Sequence, residues 1–64
     1  MNESPIMRYF DYAHLPEKLQ EVSFMFWGLA DNIDTMLPNG PEKSVALRKL
    51  LESKDAAVRS ALDL

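Results

Sequence analysis

The densest group of side chains that could take part in chemistry lies near the N-terminus. Tyr9, Phe10 and Tyr12 carry aromatic rings, and Arg8 and His14 place basic groups beside them. Because a ring can stack on a nucleobase while a basic group pairs with its phosphate, this grouping is typical of sites for single nucleotides and unpaired bases. The rings could instead cover the open end of a helical hairpin as a hydrophobic lid. The sequence leaves both interpretations open.

A second candidate is the segment Glu42-Lys43-Ser44, which follows a turn and begins a helix. Backbone N–H groups at a helix N-terminus, together with the Ser44 hydroxyl and the Lys43 ammonium, could hold a phosphate. Ordinary helix capping explains the same residues, since Glu42 suits the positive end of the helix dipole. The segment therefore predicts a helix start under either interpretation and a phosphate contact under one.

Lys54 is unusual because helical projection places it near the centre of an apolar face, in nearly the same direction as Lys43. A buried ammonium needs a partner. Lys54 could extend past a short end of the hairpin, pair with a carboxylate across an interface, or contact a ligand.

The residue types of most catalytic and metal sites are scarce in this chain. There is no cysteine, and His14 is the single histidine, so neither a thiolate zinc site nor a histidine-rich metal site is expected. The serines have only His14 as a potential base, and the acidic residues are scattered along polar faces. We therefore expect a protein that is not an enzyme and has no cofactor.

Net charge and hydropathy narrow the classes of partner. A net charge of −3 and a pI of about 4.9 disfavour binding to duplex DNA or RNA, whose affinity comes mostly from neutralising many phosphates. A small anionic ligand needs only a few local donors. No apolar run approaches the roughly 18 residues of a membrane span, and the N-terminus lacks the pattern of a secretory signal, so a cytoplasmic protein without membrane contact is expected.

The elements that must position these groups are organised around one turn. Pro38 ends a first helix, and Pro41 suits the first turn of a second one. Either Asn39 or Gly40 caps the second helix. With Asn39 as the cap, Glu42 would complete a capping box.

Apolar residues recur along each predicted helix with the spacing of three and four that packs one helix against another. The first face comprises Leu19, Val22, Phe26, Leu29, Ile33 and Met36, and the second comprises Leu47, Leu50, Leu51, Val58, Ala61 and Leu62. We therefore predict an all-α fold. It is an antiparallel two-helix hairpin over residues 16–64, with helices at about 16–37 and 41–62, after an aromatic N-terminal segment at residues 1–15.

Phe24 and Trp27 project away from the first apolar face, beside Gly28, whose small size lets another backbone approach. A chain of 64 residues could hardly cover two such rings alone. We expect them to lie at a subunit interface of a homo-oligomer. Alternatively, the aromatic N-terminal segment folds back over them.

Several segments together resemble a known family. They are Phe10-x-Tyr12, the run LPNGPEKSVALRKLL from Leu37 to Leu51, and Lys54-Asp-Ala-Ala-Val-Arg59. In these residues the chain resembles the phage anti-defence sponges of the anti-CBASS and anti-Thoeris type. These are small helical-hairpin proteins that sequester cyclic nucleotide signals made by bacterial immune enzymes. The resemblance covers about residues 10–62 and is strongest in the LPNGPEKSVALRKLL run.

The resemblance implies a non-enzymatic homo-oligomer, typically a hexamer, that binds cyclic dinucleotides or cyclic trinucleotides in the host-cell cytoplasm and lets phage evade a bacterial defence system. Tyr12 matches the tyrosine that stacks on a base. Arg8 joins the set as a basic residue of the N-terminal cluster. The expected ligand-binding residues are Arg8, Tyr12, Lys43, Ser44, Arg48 and Arg59. The chain departs from many relatives at Trp27, where they carry a basic residue.

The alternative function is a small interaction module or regulator that needs no small ligand. It would bind a partner protein through the apolar patch that Phe24 and Trp27 form on the first helix.

Overall fold

The computed structural model describes residues 4–63. Over that range the protein is helical, with a 3-10 helix at Pro5–Phe10 and two long helices, α1 at Glu17–Met36 and α2 at Pro41–Leu62. The two long helices pack against each other, which confirms the all-α hairpin. α1 is one residue shorter at each end than the expected range, and α2 has the expected bounds. Residues 1–3 of the expected N-terminal segment and residue 64 of the expected hairpin lie outside the described residues.

The connection between the long helices follows the preferences of its prolines. Leu37, which precedes Pro38, has extended geometry with φ −98° and ψ 144°. Pro41 occupies the first turn of α2, where its missing N–H leaves no helical hydrogen bond unmade. The turn therefore ends one helix and starts the next, as predicted.

Gly40, and not Asn39, is the N-cap of α2, and no side chain caps this helix. The Asn39 Oδ1 atom instead accepts a hydrogen bond from Lys43 Nζ at 3.0 Å. The capping box with Glu42, which depended on Asn39 as the cap, is therefore not formed.

The N-terminal segment is a third element of the core. A 3-10 helix repeats every three residues, so Ser4, Met7 and Phe10 share one face. Met7 is 2% exposed and Phe10 is fully buried, and they form the core with Ala30 of α1 and Leu47 of α2. Burial of each large apolar side chain contributes roughly 1.5–3 kcal/mol. The segment therefore supplies a large part of the apolar stabilisation.

This segment runs along the hairpin, which differs from a lid across the open end. Its start contacts the end of α1, where Ser4 donates hydrogen bonds to Asp34. Its end contacts α2 farther from the turn, where Lys54 donates to the backbone carbonyl of Tyr9. The segment therefore contacts both long helices.

The buried face of α1 overlaps the predicted one only in part: Leu19 is buried, and Phe26 and Ile33 pack against the core. The buried residues of α1 are Leu19, Ser23, Ala30 and Asp34. Three of them follow a predicted core residue by one position, so the centre of the buried face is turned by about 80° from the predicted one. Leu29 is 49% exposed and Met36 is 77% exposed, so their assignment to the core was wrong. The small side chain of Ala30 lies in the core instead, with Met7 and Phe10 of the 3-10 helix and Leu47 of α2, and Ser23 is also fully buried.

The predicted apolar face of α2 is only partly buried. Leu47 and Ala61 are buried, and Leu50, Leu51 and Val58 are partly buried. Leu62 is 56% exposed in the last turn, so its assignment to the packed face was wrong. Over the described residues, neither long helix combines the length and apolar composition that a membrane crossing requires.

Candidate ligand-binding groove

The outer face of the 3-10 helix and the adjacent side of α2 form a groove of about 350 Å³. The residues that line it are Pro5, Ile6, Arg8, Tyr9, Arg48 and Leu51. Pro5, Arg8 and Tyr9 are exposed because every third residue of the segment is directed into the core, whereas Ile6 is partly buried against the core. We call this surface the Arg8–Arg48 groove.

Two guanidinium groups reach the Arg8–Arg48 groove from different elements. Both side chains are exposed, and among residues 4–63 neither forms an ion pair with a carboxylate. A guanidinium presents a planar fork of N–H donors that matches two oxygens of a phosphate or a carboxylate. The groove is therefore a local basic site on an acidic chain.

Tyr9 adds an aromatic ring to the groove, and the expected ligand-binding set omitted it. It is 52% exposed. Arg8 Nη2 donates a hydrogen bond to its hydroxyl at 3.0 Å, and Arg8 Cζ lies 5.0 Å from the ring centroid. An exposed cation-π contact stabilises by only about 0.5–1 kcal/mol, so a ligand could replace it. The helix start Ser4-Pro5 was the available signal, since a 3-10 helix from there directs residue 9 outward.

Tyr12 lies elsewhere, with its ring packed against side chains of α1. Its ring centroid is 5.1 Å from that of Phe24 and 6.0 Å from that of Trp27, and the Phe24 and Trp27 rings stack at 6.0 Å. Trp27 also packs against the core, whereas Phe24 remains 50% exposed. Within one chain, the structure thus shows the alternative in which the N-terminal segment folds back over this patch. The expected stacking residue is not among those that line the Arg8–Arg48 groove.

Lys43 is engaged inside the fold and is only 7% exposed. Its ammonium donates to the Asp34 carbonyl oxygen at 2.7 Å and to Asn39 Oδ1 at 3.0 Å, and it pairs with Asp34 Oδ1 at 3.0 Å. Since an ammonium has three donors, these oxygens already occupy the donors that the expected phosphate contact requires.

Asp34 joins three elements. Ser4 donates its N–H to Oδ2 at 3.2 Å and its hydroxyl to Oδ1. The hydrogen bond from the Ser4 hydroxyl, followed by that from Lys43, lowers the pKa of the Asp34 carboxyl below its ordinary value of 3.8, although burial acts in the opposite direction. The ionised carboxylate therefore connects the 3-10 helix, the end of α1 and the start of α2.

Ser44 and Arg59 are exposed on α2 outside the groove. Ser44 lies about one turn before Arg48, and Arg59 points in nearly the same direction as Arg48 but about 16 Å farther along the helix. Of the expected ligand-binding residues, the structure brings Arg8 and Arg48 together.

Lys54 has a hydrogen-bond partner within its own chain. It is 8% exposed, and its ammonium donates to the backbone carbonyl of Tyr9. Within the chain, the partner is therefore a backbone carbonyl. No signal in residue types could identify it, because every residue carries a carbonyl.

Among the described residues, histidine and acidic side chains form no cluster of three or more that could hold a metal ion. No protein-family model matches the chain, and comparison with curated proteins and with solved structures found no match.

Proposed function

We propose that this protein binds a cyclic dinucleotide or a cyclic trinucleotide and holds it without cleaving it. The main observation in support is that Arg8, Tyr9 and Arg48 all line one groove. Guanidinium groups pair with phosphates, and a tyrosine ring stacks on a base, so this set has the chemistry that a nucleotide requires. The resemblance to the sponge family supports a cyclic ligand.

The size of the groove suits one nucleotide unit of such a ligand. Its volume of about 350 Å³ is at the lower end of the range of roughly 300–1,000 Å³ that ligand pockets cover. The remaining units would extend along the exposed face of α2, where Ser44 and Arg59 lie on either side of Arg48. This arrangement gives those two residues the outer contacts that the resemblance implies for them.

Binding without cleavage agrees with the residues that line the groove. Among residues 4–63, the side chains that line it include neither an imidazole nor a carboxylate, the groups that most often act as general acid or base. Arginine stays protonated, so Arg8 and Arg48 would hold a phosphate and would not accept a proton. In an infected bacterium the protein would act in the host-cell cytoplasm, lower the free concentration of an immune signal and let phage evade the defence system.

We also propose that the chain acts as a homo-oligomer, which the resemblance implies to be a hexamer. Met25, Leu29 and Met36 are 64%, 49% and 77% exposed, and their spacing of four and seven places them on one stripe of α1. Exposed apolar surface of this kind marks interaction sites. We call it the α1 stripe, and it replaces the Phe24 and Trp27 patch as the proposed interface because Trp27 packs against its own core.

A protein-interaction module is the second candidate function, and the exposure of the α1 stripe favours it. A partner could lay an apolar helix along the stripe without any small ligand. A pull-down from host lysate beside a thermal-shift screen separates the two functions. A stoichiometric partner protein with no thermal shift from any cyclic nucleotide would favour the interaction module.

Isothermal titration calorimetry with a panel of cyclic dinucleotides and cyclic trinucleotides tests the proposed function. We expect saturable binding of at least one member, and chromatography should recover that ligand intact after heat denaturation of the protein. Absence of binding across the panel would refute nucleotide binding. Recovery of a cleaved ligand would refute the non-enzymatic role.

A further inference from the structure

We propose that Lys54 is a positioning residue that holds the 3-10 helix where it forms one wall of the Arg8–Arg48 groove. This inference rests on the proposed ligand-binding function of the groove. One wall belongs to α2 and the other to the 3-10 helix, so the groove is complete only while the two are docked. Lys54 itself is not among the residues that line it, and its effect on a ligand is therefore indirect.

The contact that holds the 3-10 helix against α2 joins distant parts of the chain. Lys54 Nζ, from the middle of α2, donates to the backbone carbonyl of Tyr9, 45 residues away. Tyr9 lies in the last turn of the 3-10 helix, where carbonyls lack partners within the helix and attract cations. A charged donor makes this hydrogen bond about twice as strong as a neutral one. The bond therefore holds the backbone of the residue whose ring lines the groove.

The opposite end of the segment is held separately. Ser4 donates to Asp34 of α1, and Met7 is buried in the core. Without the Lys54 ammonium, these contacts and the buried Phe10 ring would keep the segment attached to the core, while the backbone of Tyr9 would lose its polar contact with α2 and open more often. The groove wall would then be formed in only a fraction of the molecules.

Lys54→Met tests this role because it keeps the apolar stem and removes the ammonium. We expect the backbone amides of Arg8, Tyr9 and Phe10 to exchange hydrogen about tenfold faster by NMR, which is the effect of losing a hydrogen bond to a charged group. The amides of α1 and α2 should keep their protection. Since apparent affinity falls with the population of the binding-competent state, the dissociation constant of a cyclic dinucleotide that the wild type binds should rise, by at most the same factor.

Two other variants serve as controls. Lys49→Met makes the same chemical change at an exposed lysine of the same helix, whose side chain is 71% exposed, and it should change neither exchange nor affinity. Lys54→Arg keeps a cationic donor and should restore most of the protection of Tyr9 and its neighbours.

The proposal would be overturned if the amides of Arg8 and Tyr9 in Lys54→Met exchanged hydrogen as slowly as in the wild type. It would also be overturned if they exchanged faster while the dissociation constant stayed unchanged. If Lys54→Met loses the whole fold by circular dichroism, Lys54→Gln takes its place, because glutamine has no charge and its amide nitrogen lies one bond short of the Nζ position that contacts the Tyr9 carbonyl. Wild-type exchange in that variant would again overturn the proposal. The exchange measurement needs no ligand. Absence of cyclic-nucleotide binding by the wild type would thus refute the proposed function, while faster exchange in Lys54→Met would still support the positioning of the 3-10 helix.

Discussion

Asp34 Oδ1 and Lys43 Nζ form an ion pair at 3.0 Å, and their side chains are only 5% and 6% exposed. The pair joins the last turns of α1 to the first turn of α2, and through Ser4 it also holds the start of the 3-10 helix. Removing one partner of a buried pair leaves an uncompensated charge, which destabilises far more than the loss of an exposed pair. The pair is therefore structural, although Lys43 belongs to the run that resembles a nucleotide-binding family.

Stability should decrease in acid because of Asp34. Its folded pKa lies below the ordinary value of 3.8. Its contribution is therefore complete above about pH 5 and is lost as pH falls through the folded pKa. Urea unfolding at about pH 6 and pH 3 should show a larger loss of free energy of unfolding for the wild type than for Asp34→Asn. The exposed Asp55→Asn should keep the wild-type pH dependence. Equal losses in wild type and Asp34→Asn would contradict this role.

Ser23→Ala should leave the protein as stable as the wild type or more stable by up to about 1 kcal/mol. Ser23 is fully buried, and its Oγ has no hydrogen-bond partner among residues 4–63. Alanine removes that unsatisfied group and has the higher helix propensity. Ser53→Ala, at an exposed position of α2, measures the propensity gain alone. Thermal unfolding gives both values. Clear destabilisation by Ser23→Ala would show that the hydroxyl is hydrogen-bonded.

Phe10→Ala should largely unfold the protein. Removal of a buried phenylalanine side chain costs about 3–5 kcal/mol, which is comparable with the roughly 3–5 kcal/mol that the core of so small a domain supplies. Tyr9→Ala is the neighbouring control and should change thermal unfolding only slightly, because Tyr9 is exposed. If circular dichroism shows similar melting for Phe10→Ala and the wild type, then the 3-10 helix is not part of the core.

The two long helices were predictable because their signals are local. Pro38 and Pro41 act on their immediate neighbours, and spacings of three and four reveal an amphipathic helix. The face that α1 buries was not predictable, because periodicity ranks large apolar residues first. Leu29 was therefore assigned to the core and Ala30 was not. The small side chain of Ala30 is needed only because the 3-10 helix also packs against α1 at this position.

Sequence reasoning identified two residues of the candidate groove, but it could not show that they meet. Arg8 and Arg48 stood out by residue type, but their meeting depends on where the 3-10 helix docks. That docking involves Met7 and a backbone carbonyl that accepts from Lys54. Every residue has a backbone carbonyl, so the residue type does not show which carbonyl accepts a hydrogen bond. Sequence reasoning could therefore place Lys54 on an apolar face without identifying its partner.

Leu29→Glu should reduce the molar mass measured by sedimentation equilibrium if the α1 stripe forms the proposed homo-oligomer interface. A carboxylate at the centre of an apolar contact would lose its hydration without gaining a partner. Ser60→Glu, at an exposed position of α2, should leave the mass unchanged. Trp27→Glu is a weaker test, because Trp27 packs against the core of its own chain and its loss would also destabilise a monomer.

A wild-type protein that is monomeric at high micromolar concentration would refute the homo-oligomer. An assembled wild type whose mass is unchanged in Leu29→Glu would place the interface on another surface.

The central claim is that the Arg8–Arg48 groove binds a cyclic nucleotide, and calorimetry on Arg48→Ala beside Lys49→Ala tests it most directly. The two variants lose the same charge at adjacent positions of α2, but only Arg48 lines the groove. Using a cyclic dinucleotide that the wild type binds, we expect Arg48→Ala to weaken binding by about tenfold or more, the effect of losing a hydrogen bond to a charged group. Lys49→Ala should bind within about twofold of the wild type, since an exposed charge outside the site contributes little. Equal dissociation constants for the wild type, Arg48→Ala and Lys49→Ala would contradict the account.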